Sequence, residues 1–88
     1  MEKVSLRKVK GGKFVKVKVS SDGGYITDAK ITGDFFAHPE DAFEQLEKEL
    51  KGIPVDRVRA TVESALGGIV LVGLSKEDLI EMIEECLE

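Results

Sequence analysis

Asparagine is missing from this 88-residue chain, glutamine occurs once (Gln45), and the single cysteine is Cys86. One cysteine cannot close an intramolecular disulfide, and with the single histidine, His38, it cannot complete a zinc site. A reducing, cytoplasmic setting is the expectation. Long hydrophobic runs are missing as well. The longest, "GGIVLVGL", falls far short of the roughly 20 apolar residues of a membrane helix, and "MEKVSLRKVK" has no signal-peptide core, so no membrane association is expected. The shortage of Asn and Gln beside abundant Lys and Glu is a bias reported for heat-adapted proteins.

What is present fits an ordinary globular protein, with 42% apolar and 34% charged residues. One domain over 1–88 is expected, with a core small enough to gain from a partner. Charge is split along the chain. Residues 1–32 carry eight Lys/Arg against three Asp/Glu, and residues 33–88 carry five against fourteen. Such polarity suits either a nucleic-acid surface or Lys-rich strand faces opposite acid-rich helix faces, and the second reading is preferred.

"VSLRKVKGGKFVKVKV" reads as a hairpin turning at Gly11-Gly12, where two positive-φ positions suit a two-residue turn. That pivot pairs Lys10 with Lys13, Val9 with Phe14, Leu6 with Val17 and Val4 with Val19. It places Leu6, Val17, Val4 and Val19 on one face, with Lys16 and Lys18 on the other. "SSDGG" is a second turn and "YITDAKIT" a third strand. There Tyr25, Ala29 and Ile31 favour one face and Ile26 the other, which calls for a bulge or a two-sided strand.

From Pro39 the period changes to 3.6, with Pro39 expected at the first helical position. Ala42, Phe43, Leu46 and Leu50 form the stripe and Gly52 the stop. "VDRVRATVESAL" predicts a second helix with Val55, Val58, Val62, Ala65 and Leu66 inside. "IVLVGL" predicts a buried run, either a short strand or a packed loop. A third helix starts at a Ser75 cap with Asp78 three residues on, and its inner face holds Leu79, Ile80, Ile83 and Leu87. The expected fold class is α+β, an antiparallel three-stranded sheet covered on one face by two or three helices.

Reactive chemistry is thinly represented. "GIVLVGLS" has the glycine spacing of a phosphate loop but puts Leu74 where the lysine belongs, so Gly73 and Ser75 read as a terminator and a cap. His38 has Asp34 and Glu40 nearby in sequence but no second ligand or nucleophile by spacing. Cys86 sits in a last helical turn among Glu84, Glu85 and Glu88, surroundings that raise a thiol's pKa. The strand lysines and Arg7 have only Phe14 and Tyr25 as aromatic platforms for single-stranded nucleic acid. No catalytic, cofactor-binding or metal site is predicted.

"GDFF", residues 33–36, is the unexplained stretch. Gly33 lets the chain turn sharply, and Asp34 is a residue type that can bond nearby backbone N–H groups. Neighbouring Phe35 and Phe36 on an extended segment face opposite sides. One ring is expected to anchor the first helix on the sheet. The other is left for a second core pocket or a partner, unless the chain bends enough to bury both.

With the helix spacing that follows, "ITGDFFAHPEDAFEQLEKELKGIPVD" resembles the C-terminal accessory domain of lipoate–protein ligases. The downstream Gly-Gly-Ile step and the "SKEDL" helix start fit the same pattern. Carried separately from a catalytic domain, the chain is similar to the small subunit of a bipartite, archaeal-type ligase. The resemblance implies a heterodimer with a large catalytic subunit that binds lipoate and ATP with Mg and contains the catalytic lysine. This chain would bind none of these itself and would be required for forming lipoyl-adenylate. Gly33, Asp34, Phe35 and Phe36 carry over as a structural and interface signature only. The rival readings are a small nucleic-acid-binding module using the basic strand face and a small enzyme using Asp34 and His38.

Overall fold

The computed structural model describes residues 1–9 and 13–87, with Val9 described through its backbone alone. Three strands, β1 (Glu2–Val9), β2 (Lys13–Asp22) and β3 (Tyr25–Gly33), form an antiparallel sheet in the order β1-β2-β3. A short strand β4 (Phe36–His38) leads into α1 (Ala42–Leu50). A 3-10 turn (Val55–Arg57) opens α2 (Val58–Ala65), strand β5 (Val70–Val72) pairs back with β4, and α3 (Lys76–Glu85) closes the fold. The expected α+β architecture is present, with the helices against one face of the sheet.

Val15, Val17 and Val19 alternate inward from the central strand and are fully buried. They meet Leu46 and Leu50 of α1, Val58 and Val62 of α2, and Leu79, Ile80, Met82 and Ile83 of α3 in one contiguous core. Each fully buried aliphatic side chain of this kind contributes about 1.5–3 kcal/mol. Ser75 caps α3 as expected, its Oγ accepting from the Asp78 N–H at 3.0 Å. Arg59 of α2 and Glu77 of α3 tie those helices by two hydrogen bonds of 2.9 Å.

The first hairpin departs from the expected register. Val9 pairs with Lys13, so three residues, 10–12, connect the strands and every partner shifts by one. The expected turn at Gly11-Gly12 lies outside the described residues. Because side chains alternate with period two, a one-residue shift turns β1 over. Val4 now lies beside Lys18 and Leu6 beside Lys16, both exposed on the outer face. Inward from β1 come Ser5 and Arg7 instead, and α3 receives them with acids. Arg7 meets Glu81 at 2.9 Å, Glu85 at 3.0 Å and Asp78 at 3.7 Å. The hydrogen bond to Glu81 leads in holding its guanidinium pKa above the usual value.

The two-residue turn with paired positive φ is found at Gly23-Gly24 (φ +59° and +85°), between the partners Asp22 and Tyr25. A register shift at Ser20/Ser21 pairs Asp28 with Ser20 but Ile26 with Ser21, skipping Thr27. This bulge brings Ile26 onto the buried face with Ala29 and Ile31, and Tyr25 is left exposed. Pro39 does not open α1. It follows a cis peptide bond, its carbonyl accepts from the Ala42 N–H at 3.1 Å, and the helix begins only at Ala42.

The free side of β3 is capped at two points. Ile26 N–H donates to the Ile53 carbonyl at 2.9 Å and its own carbonyl accepts from Gly52 N–H at 2.7 Å. Further along, Ile31 N–H donates to the Glu47 carboxylate at 2.7 Å.

Gly33 ends β3 at φ +152°, and a Cβ there would collide with the carbonyl oxygen of Phe14 and with Val15 Cα. Gly33→Ala is expected to lose about 3 kcal/mol in urea titration, since backbone has to move as well as adopt a strained φ. Gly23→Ala meets open space and should cost about 1 kcal/mol. Equal losses at the two sites would contradict the close crossing at Gly33.

Candidate docking surface

Past Gly33 the chain crosses the end of the sheet as a strap. Asp34 N–H donates to the Phe14 carbonyl at 2.9 Å, pinning the start of the strap to β2. The far side rests on Gly73, where φ is +89° and an added Cβ would stand 3.2 Å from the Asp34 carbonyl oxygen. Two glycines therefore set the path of the four signature residues.

Along that path the rings separate. Phe35 turns inward, half-buried, its centroid 4.5 Å from that of Phe43 on α1. The pair joins strap to helix as an aromatic anchor. Phe36 turns outward and is 68% exposed. The expectation that one ring anchors the first helix is met by Phe35, and the rival reading in which both rings bury is not.

Phe36 does not stand alone. β4 pairs Phe36 with Val72, Ala37 with Leu71 and His38 with Val70. Alternation sends Ala37 and Leu71 inward, whereas Val72 (50% exposed) and Val70 (57% exposed) share the outer face with Phe36 and His38. The expectation that "IVLVGL" is buried throughout is corrected here: Ile69 and Leu71 are half-buried and Leu74 buried, but both valines face solvent. A shallow groove lined by Phe35, Phe36, Ala37, Glu40 and Phe43 borders this ribbon. An exposed apolar face rimmed by polar residues is the usual mark of a docking surface.

The other candidates lie apart from any reactive geometry. His38 is exposed at the ribbon's end, and among the described residues no group of three His, Cys, Asp or Glu could hold a metal ion. Gly73 and Ser75 do terminate β5 and cap α3, as their spacing suggested. Arg7 is engaged by α3, whereas Lys16, Lys18 and Lys30 stay exposed. Cys86 is buried with Sγ 3.7 Å from the Val17 carbonyl oxygen. Burial first, then the charge of Glu85, pushes its pKa above the ordinary 9.0. Sequence reasoning missed Val70 and Val72, because an uninterrupted apolar run conceals which residues alternate outward.

The fold is thus a small α+β domain whose most distinctive surface is an exposed apolar ribbon. The particular family follows from comparison with known proteins. The family model described as the C-terminus of bacterial lipoate protein ligase matches residues 4–83, and this chain belongs to that family. It is similar to lipoate-protein ligase A subunit 2 of Thermoplasma acidophilum, 32% identical over 71 residues, which is 80% of this chain and 76% of the relative. It is also similar to a chain of the solved structure described as an archaeal bi-partite lipoate protein ligase and its E2 lipoyl domain, from the same organism. There the TM-score is 0.87 at 30% identity, covering 94% of each chain. The resemblance seen in "GDFF" and the helix behind it is thus the correct one.

Two outcomes are expected from this geometry. Phe35→Ala should lower stability by about 2 kcal/mol, as a half-buried ring losing its partner. Phe36→Ala should stay within about 0.5 kcal/mol of the parent, and thermal melts of the two variants would expose a reversed order. The Cys86 thiol of the folded chain should react with an aromatic disulfide at least about tenfold more slowly than that of the urea-unfolded chain. Its raised pKa adds stability that is fully present below the unfolded value near 9.0 and fades as pH rises through the folded value. Equal labelling rates would contradict the burial.

Proposed function

We propose that this chain is a non-catalytic accessory subunit of a bipartite lipoate–protein ligase, docked on a separate large catalytic subunit through the β4–β5 ribbon. The observation that carries this reading is the exposed Phe36, Val70 and Val72 face, to which the Gly33–Phe36 segment that signals the family contributes Phe36. Family membership and the similarity to a ligase subunit 2 support it.

In this reading the large subunit holds lipoate and ATP with Mg. Activation joins a lipoate carboxylate oxygen to the α-phosphorus of ATP as pyrophosphate leaves, giving lipoyl-adenylate, and a lysine of the acceptor protein then displaces AMP. This chain supplies no reacting atom. Its role is to order the loops around the nucleotide and keep water from the mixed anhydride, which hydrolyses easily. Phe36 fits as the central anchor, since aromatic side chains seated in a partner pocket dominate interface energies. Phe35, held against Phe43, fixes the strap so that Phe36 is presented without an ordering cost at binding.

The test combines purified subunits. Neither chain alone should release pyrophosphate from ATP with lipoate, and mixing them should restore release. Phe36→Ala should weaken association by about 2 kcal/mol, roughly thirtyfold, in a pull-down or titration, with the melt of the isolated chain unchanged. A large subunit fully active by itself would end this reading.

A further inference from the structure

The two edges of the main sheet are treated differently. β3 is partly capped, at Ile26 by Gly52 and Ile53 and at Ile31 by the Glu47 carboxylate, whereas no described element pairs with the free side of β1. Which groups face that side follows from the ladder. Ser21 N–H donates to the Met1 carbonyl at 2.7 Å, so Met1, Lys3, Ser5 and Arg7 bond inward to β2. By the alternation of antiparallel pairing, Glu2, Val4, Leu6 and Lys8 direct their N–H and C=O groups outward. Those same four residues place their side chains on the outer face, where Leu6 is 66% and Val4 52% exposed. An open edge carrying exposed apolar side chains is a template for another strand.

The pattern of these residues points to a specific occupant. Antiparallel pairing of β1 with a second β1 about a twofold axis at Ser5 sets Val4 opposite Leu6 and Glu2 opposite Lys8, each twice. The registers two residues away on either side do worse. One, centred on Val4, keeps Val4 against Val4 but sets Glu2 against Leu6 twice, and the other, centred on Leu6, keeps Leu6 against Leu6 but sets Val4 against Lys8 twice. All three registers are twofold, and of them the one centred on Ser5 alone pairs Glu2 with Lys8 and keeps both Val4 and Leu6 against apolar partners, so it is self-complementary in apolar and charged positions together. Glu2 already faces Lys18 at 3.7 Å, so the Lys8 of a second copy would complete a cationic pair around one carboxylate. On the inner face the same register brings Ser5 to Ser5 and Arg7 to Lys3. The acids of α3 that hold Arg7 offset that like-charge approach.

We propose that β1 is a homodimer seam, joining two copies of this chain edge to edge into a continuous six-stranded sheet. The seam uses β1 and leaves the β4–β5 ribbon uncovered, so it stands independently of the ligase reading. A single pair of strands matched over residues 2–8 buries less than the roughly 1,200 Å² of a stable interface, so the dimer dissociates on dilution.

Sedimentation of the full chain from millimolar to low-micromolar concentration tests this. A reversible monomer–dimer equilibrium is expected, and Leu6→Lys should abolish it without shifting the thermal melt. Lys8→Glu should weaken it by about tenfold, because both copies of the charge pair become repulsive. Combining it with Glu2→Lys should recover the parent's dimerisation to within about threefold. Hydrogen exchange gives a readout free of mutation: the amides of Val4 and Leu6 should gain protection as concentration rises, and those of Gly23 and Gly24 should not. A monomer at millimolar concentration, or a dimer indifferent to Leu6→Lys, would overturn the seam. So would a dimer sensitive to Phe36→Ala instead, or no recovery in the charge-swapped double variant.

Discussion

At the end of β3 the carbonyl oxygen of Phe14 occupies the volume in which a side chain at residue 33 would lie. The same oxygen then accepts the Asp34 N–H. This one crossing determines the direction in which the chain leaves the sheet. It fixes which of two adjacent rings enters the groove above α1, and it delivers β4 to β5 in the pairing Phe36–Val72. Displacing the backbone here would unseat the Phe35–Phe43 pair and with it the presentation of the ribbon. Steric collision selects glycine at Gly33, and a positive φ with a tight contact favours it at Gly73, so no catalytic demand is needed to explain either.

The helices were legible because their apolar positions recur at three and four residues. Ala42, Phe43, Leu46 and Leu50 are all buried, as are Val58, Val62 and Leu66. The Ser75 cap was legible because its chemistry is local. Register was not, because it depends on a single residue in a connection that two glycines leave ambiguous. Val4 and Leu6 look like core residues beside the β2 valines. What decides otherwise is the acid row of α3, Asp78, Glu81 and Glu85, at the far end of the chain, which accepts Arg7. Long-range partners of this kind leave no periodic trace. The Tyr25–Ile31 segment stands between these cases: its mixed faces allowed either a bulge or a two-sided strand, and pairing with β2 shows a bulge at Thr27.

The signature segment shows the same division. That neighbouring rings must part follows from strand alternation alone, and Phe35 and Phe36 do part. That Phe36 lies in a face with Val70 and Val72 depends on β5, whose residues read as a plain apolar run. The family assignment therefore rested on less than the structure supplies. The motif points to the family, whereas the exposed Phe36, Val70 and Val72 face appears only once β4 and β5 are paired.

Charge segregation along the chain becomes segregation through its thickness. Lys16, Lys18 and Lys30 lie on the bare side of the sheet, while the acids of α1, α2 and α3 coat the other. The two faces therefore differ in charge, even though the net charge of the chain is only −4. In the field of another macromolecule such a body is turned before it is touched, so orientation during diffusion is selected by torque as well as by chance collision. Added salt shortens the reach of that torque and slows productive encounters, leaving the fit of the final contact unchanged.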